Sequence, residues 1–205
     1  MLRRLVAAAS AACLLGGVVA CSSEESSSLP TLSDSSSSGV TPTPTATPSA
    51  STPSSSKTPD SKGHEVFAGR ITATAADQKA AADVWIGFWR MRLNSLYSAK
   101  VDPAAASQFA QGKAVDDMVG YIGQLSKKKQ HVEGDMMIGV SSVAVSGGTA
   151  TVESCVNDWT IDVDAKGVPK STPSRFFQAR GTLTKVAGGW RVSRAALISR
   201  RPCSA

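Results

Sequence analysis

The sequence predicts an α+β domain in which three helices precede a four-stranded antiparallel meander. Three observations predict it. Apolar residues recur with a helical period of 3.6 from about Thr74 to Lys128, and the period switches to two beyond His131. Gly147-Gly148 and Gly188-Gly189 punctuate the second region as tight turns between alternating runs. Composition changes near His64 from Ser, Thr, Pro and Ala to ordinary globular, which leaves residues 64–205 for one domain with a real core. Helices grouped ahead of strands indicate α+β rather than a parallel sheet with crossovers.

The chain ahead of that domain has its own logic. Arg3 and Arg4 form a positive start, Leu5 to Gly17 is apolar, and small residues follow, so residues 1–20 read as an export signal. The uncharged run from Leu5 to Ala20 is 16 residues, short of the ~20 that span a bilayer. Val18-Val19-Ala20-Cys21 resembles the lipobox of bacterial lipoproteins. That resemblance implies a diacylglyceryl group on the Cys21 thiol, cleavage just before it, and acylation of the new terminus, palmitate included. The residues alone also admit an ordinary secretory signal with a chance Cys21. Two or three acyl chains make a durable anchor where one is marginal, so the expected location is the extracytoplasmic face of the cell membrane.

Residues 21–63 are almost wholly Ser, Thr, Pro and Ala, with Leu29, Leu32 and Val40 the large apolar exceptions. Such a segment cannot bury enough surface to offset its ordering entropy. It is expected to be a disordered tether that sets reach from the membrane, roughly 35 Å as a flexible coil. Net charge falls from +6 to +4 once Arg3 and Arg4 leave with the signal. The bases are scattered and no aromatic-basic interleaving is present, which argues against a nucleic-acid partner.

In the domain, Thr74 is placed to cap a helix, with Asp77 three residues on. That helix is expected to run to about Ser98. Val84, Trp85, Ile86, Phe88, Trp89, Met91, Leu93 and Leu96 cover more than half its circumference, so it is expected to be largely buried. Arg92 violates the pattern, falling in the apolar arc between Trp85 and Phe88. Asp102-Pro103 opens a short helix to about Ala110, an N-cap followed by proline at the first turn. A third helix is expected from Lys113 to Lys128, with Val115, Met118, Val119, Ile122 and Leu125 inward, acids first and lysines last as the dipole favours. Strands are expected over Met136–Ser146, Thr149–Trp159, Arg175–Val186 and Trp190–Arg200, with Ile161–Ser174 as a loop or wide hairpin.

Of the four cysteines, Cys13 leaves with the signal and Cys21 takes lipid, so Cys155 and Cys203 remain in an oxidising compartment. They are expected to form a disulfide. The rival readings, a metal site or a redox thiol, find no Cys-x-x-Cys motif and no histidine near either residue.

Three features together resemble a known group: the tethered lipoprotein signal, the helix Val-Trp-Ile-Gly-Phe-Trp-Arg at 84–90, and Cys-Val-Asn-Asp at 155–158 followed by Gly-Gly-Trp-Arg-Val at 188–192 and a late Cys. This looks like the nuclear transport factor 2-like lipoproteins of high-GC Gram-positive bacteria, over about residues 66–203. The resemblance implies a cone: a curved sheet wrapped round the long helix, with a pocket inside.

Relatives of that superfamily that are enzymes need an Asp or His base in the cone and a Tyr or acid beside it. His64 precedes the domain and His131 follows a helix, and both read as solvated. Asp158 and Tyr97 are the remaining base and donor, but Asp158 at a strand end also suits a turn or ion pair. No Ser-His-Asp set, phosphate loop, dinucleotide loop or metal spacing appears, so no catalytic residue, cofactor or metal is expected. A buried Arg92 must be paired or hydrogen-bonded. One reading is an ion pair with a sheet acid such as Glu153, or a head group that snorkels past the sheet edge. The other is an anion anchor with Trp85, Phe88 and Trp89 as apolar walls. Two functions follow: an envelope accessory module that docks protein partners, or a carrier or sensor of a small apolar or amphipathic ligand.

Overall fold

The computed structural model describes residues 59, 60, 62–173 and 176–205. The expected export signal, the expected lipidation of Cys21 and most of the expected tether fall outside the described residues. Within them the order is β1 (Val66–Ile71), α1 (Ala76–Ser98), α2 (Pro103–Phe109), α3 (Lys113–Lys127), β2 (Gln130–Glu133), β3 (Met136–Ser146), β4 (Thr149–Asp158), β5 (Ile161–Asp164), β6 (Phe176–Val186) and β7 (Gly189–Ser199). The class is α+β with three helices and a mostly antiparallel sheet. The sheet has five strands rather than four, in the order β1-β3-β4-β6-β7, and β2 and β5 form a separate two-stranded ribbon.

The expected meander is present as β3, β4, β6 and β7. The fifth strand, β1, joins its edge parallel to β3, with Val66 opposite Met136. Asp135 holds that start in place. Its buried carboxylate accepts backbone N–H bonds from Asp60 at 3.1 Å and Glu65 at 2.8 Å, and its own N–H donates to the Asp60 carbonyl at 2.8 Å.

Helix α1 begins one residue later than the sequence pattern suggests. Ala75, not Thr74, is the N-cap. Ala75 has no oxygen to offer, and Gln78 substitutes: its Oε1 accepts from the N–H groups of Ala75 at 3.1 Å and Thr74 at 3.2 Å. The Gln78 amide also donates to the Val143 carbonyl at 3.0 Å, which ties the helix start to β3. Asp102 caps α2 as expected, accepting from Ala104 N–H at 2.9 Å. On α3, Val119 is exposed rather than inward, and Met118, Ile122 and Leu125 carry the packing.

Side chains of the sheet alternate. Met136, Ile138 and Val140 of β3 face inward; a register shift between Val140 and Ser142 then resets the parity so that Val143 does too. Such a bulge bends a strand while keeping its apolar face on the core. On β4 the inward set is Ala150, Val152, Ser154, Val156 and Asp158. Helix α1 packs on this face, and Trp85, Phe88, Leu93, Val152, Val156 and Leu183 form its centre.

On the opposite face, Cys155 bonds to Cys203 with a Cα–Cα separation of 5.8 Å. Gly139 lies directly across from Cys155 on β3. The segment after Cys203 crosses the sheet there: a Cβ at Gly139 or Gly69 would come within 2.7 Å of the Ala205 main chain. Glycine in a strand interior is otherwise a weakness, and here it makes room for close backbone approach.

Candidate functional site

One end of the core is filled and the other is hollow. The cavity measures about 340 Å3 and opens at the end of α1 that carries Trp89, Arg92 and Leu96. α3 contributes Tyr121, the β2–β5 ribbon contributes Val132 and Asp162, β4 ends in it at Asp158, and β6 and β7 add Phe177, Ala179 and Leu197.

Two of the four residues expected to form a pocket line it, Trp89 and Arg92. Trp85 and Phe88 do not. Trp85 is fully buried one turn earlier, where its Nε1 donates to Ser154 Oγ at 3.0 Å, and that hydroxyl donates on to the Ala179 carbonyl at 3.3 Å. Phe88 stacks on Trp85 with centroids 5.6 Å apart, and Trp89 meets Trp85 edge-on at 5.5 Å. The two inner rings therefore support the cavity wall from behind.

Arg92 enters the cavity with its guanidinium carbon 5.5 Å from the centre of the Trp89 ring. Among the described residues no carboxylate forms an ion pair with it, and its Nε is buried without a hydrogen-bond partner. Glu153, considered above as its partner, pairs instead with Arg180 at 2.6 Å. Strand parity explains this. Ser154 faces the helix, so Glu153 faces outward, where Arg180 of β6 stands directly opposite. Burial lowers the Arg92 pKa, while Tyr121, Asp158 and Asp117 pull it back up.

Asp158 is the carboxylate that faces this arginine from the sheet. It is buried at the end of β4 and accepts the Thr160 N–H at 2.9 Å. Burial raises its pKa above the usual carboxylate value, and the Thr160 hydrogen bonds and Arg92 oppose that rise. Tyr121 donates to Asp162 at 3.3 Å, and burial followed by the Asp162 charge raises its pKa.

Tyr97, the tyrosine singled out from the sequence, lies on the surface. His64 stacks on it at 4.0 Å and His131 meets its edge at 5.9 Å, while His131 Nε2 pairs with Glu133 at 3.0 Å. None of these lines the cavity. The cavity tyrosine is Tyr121, on the flank of the α3 apolar stripe beside Ile122. Among the described residues no cluster of three His, Cys, Asp or Glu side chains is placed to hold a metal, and no helix is long and apolar enough to cross a membrane.

No family model matches the chain, and no curated protein does. Among solved structures it is similar to the intermembrane-space region of the chloroplast protein ARC6, at 14% identity over 62% of this chain and 99% of that one, with a TM-score of 0.49. A domain of unknown function with a cystatin-like fold from Nostoc punctiforme aligns at 15% identity over 63% of this chain and 81% of its own, with a TM-score of 0.40. A Kribbella flavida protein aligns at 14% identity, 60% and 90% coverage, and a TM-score of 0.37.

Proposed function

We propose that this chain is a nuclear transport factor 2-like lipoprotein, anchored through Cys21 on the outer face of the cell membrane, whose domain binds a small amphipathic molecule. The acidic head of the ligand rests on Arg92 and its apolar body lies against Trp89, Leu96 and Phe177. The observation that carries this reading is Arg92 itself: a guanidinium that lines a 340 Å3 cavity with no ion-pair partner among the described residues. A buried charge is normally paired, and an unpaired one costs several kcal/mol. A volume near the lower end of the ~300–1,000 Å3 typical of ligand sites favours a body of one or two rings or a short chain.

The role is binding rather than turnover. Asp158 does supply the desolvated carboxyl that acid–base chemistry requires, so the assay includes that possibility. The probe is 8-anilinonaphthalene-1-sulfonate, which joins an aromatic body to a permanently ionised head. The full mature protein is expected to bind it with enhanced fluorescence and Arg92→Met to lose that binding while keeping its near-ultraviolet circular dichroism. Molecules extracted from protein purified from membranes are expected to re-bind and to be recovered unchanged after incubation. Equal probe affinity in Arg92→Met overturns the reading.

A second reading is an accessory module that docks envelope proteins. It draws on the exposed apolar side chains of Phe176, Leu197 and Ile198, of which Leu197 lines the cavity. Crosslinking in intact cells that captures a discrete partner through these residues, with no probe binding, would favour it.

A further inference from the structure

If the cavity takes an anion, it already contains a competitor for the same guanidinium. Asp158 and Arg92 line the same space, one from the end of β4 and one from α1, and each acts on the charge of the other without forming an ion pair. We propose that Asp158 is an internal gate: ionised, it repels an incoming anionic head and weakens its hold on Arg92; protonated, it removes that charge and offers the head an O–H donor. Anion binding is thereby coupled to proton uptake, with the anion held more tightly in acid. This rests on the proposed ligand site and adds its regulation.

The surroundings single out Asp158 for this role. On α1 the facing charge is Arg92. On α3 the titratable group is Tyr121, neutral here, with the charge of Asp117 further out and engaged by Lys113 at 2.7 Å. On β5 it is Asp162, whose Oδ1 accepts the Tyr121 hydroxyl. At the end of β7 Arg200 reaches the lining. β2, β3 and β6 contribute only apolar side chains, Val132, Met136, Phe177 and Ala179. His131 and Glu133 of β2 pair with each other and do not line the cavity. Asp158 is thus the buried carboxylate of the lining, and the one lining carboxylate whose charge acts on Arg92.

The direction follows from its environment. Burial favours the neutral carboxyl, so its proton is taken up above the pH at which an exposed aspartate would bind one. A ligand anion on Arg92 raises the proton affinity further, and by linkage protonation raises the affinity for the anion.

The sulfonate probe tests this directly, because its head stays ionised while Asp158 titrates. Wild-type full mature protein is expected to bind it up to about tenfold more tightly as the pH is lowered from 7.5 until Asp158 has taken up its proton, the order of one nearby charge removed at short range. Asp158→Asn is expected to bind at pH 7.5 as tightly as wild type does at the acid end of that series, with no further gain in acid. A gain that persists in Asp158→Asn would have a source other than Asp158 and would overturn the gate. An asparagine variant that binds more weakly than wild type at pH 7.5 would also overturn it. Unchanged binding in Arg92→Met would remove the site itself, so the two failures are separable. Near-ultraviolet circular dichroism at both ends of the series distinguishes site binding from adsorption to an acid-loosened state.

Discussion

Trp85 and Trp89 stand one helical turn apart on α1, and the turn between them divides two kinds of interior. Around Trp85 every requirement is met. Its indole N–H is bonded to Ser154, its ring lies against Gly181, and a Cβ there would sit 2.6 Å from the ring, so only glycine fits without displacement. Around Trp89 the requirements are left open. Its indole N–H and the Arg92 Nε are buried without partners, and a cavity replaces the packed neighbours. Natural cores satisfy their buried polar groups almost without exception. Four such atoms lack a partner among the described residues; Trp89 Nε1 and Arg92 Nε are the two that line the hollow, while Asn157 Oδ1 and Trp190 Nε1 lie elsewhere, so it is the missing packing beside the two α1 atoms that sets this end of the helix apart.

Alanine substitutions make the comparison quantitative. Trp85→Ala removes a fully buried ring and strips Ser154 of its donor, and it is expected to cost ~4–5 kcal/mol in chemical denaturation. Trp89→Ala removes a ring of the same size that already borders empty space and whose N–H bonds to nothing among the described residues, so its cost should be smaller by roughly 2 kcal/mol. Equal losses would show that the two turns are packed alike.

The disulfide tests whether the difference is local. Cys155 points away from the helix, and the segment it pins crosses the outer face of the sheet at Gly139 and Gly69. Replacing both cysteines by alanine is expected to lower stability by about 4 kcal/mol in the chain-entropy account, for a closed loop whose ends are separated by 48 residues. Probe binding at 25 °C should be unaffected. A loss of binding in step with stability would mean that the outer strap shapes the inner cavity.

The satisfied half was legible in the sequence and the open half only in part, for a physical reason. Strands β3, β4, β6 and β7 came within a residue or two of their bounds because alternation is a local signal. β1 is held by Asp135, some 70 residues along the chain from the backbone it binds, and no local pattern records that. β2 and β5 have four residues each, too few for a period to register. In the site, Arg92 stood out because it broke a helical stripe. Parity on β4 sends Asp158 inward and Glu153 out, against the pairing of Glu153 with Arg92 expected from the sequence. Tyr121 had no such mark, since a tyrosine on the flank of an apolar stripe is as ordinary as the exposed Tyr97.

The smallest predicted effect is the most diagnostic. Arg92→Met keeps the length of the aliphatic stem and deletes a desolvated charge that has no ion-pair partner among the described residues, though Asp158 acts on it from across the cavity. The charge costs desolvation, and against that it gains a cation–π contact with Trp89 at 5.5 Å, worth ~0.5–2 kcal/mol. Replacing a desolvated ion that makes no salt bridge by a packed apolar side chain is often stabilising by ~1 kcal/mol or more. The variant is therefore expected to unfold at a higher urea concentration with an unchanged slope, which identifies a gain in stability rather than a change in the unfolded state. Destabilisation by more than about 1 kcal/mol would instead mean that the arginine holds the fold together, and the hollow end of α1 would then differ from the Trp85 end in degree only. A gain in stability bought with lost binding is what a residue retained for its ligand should show.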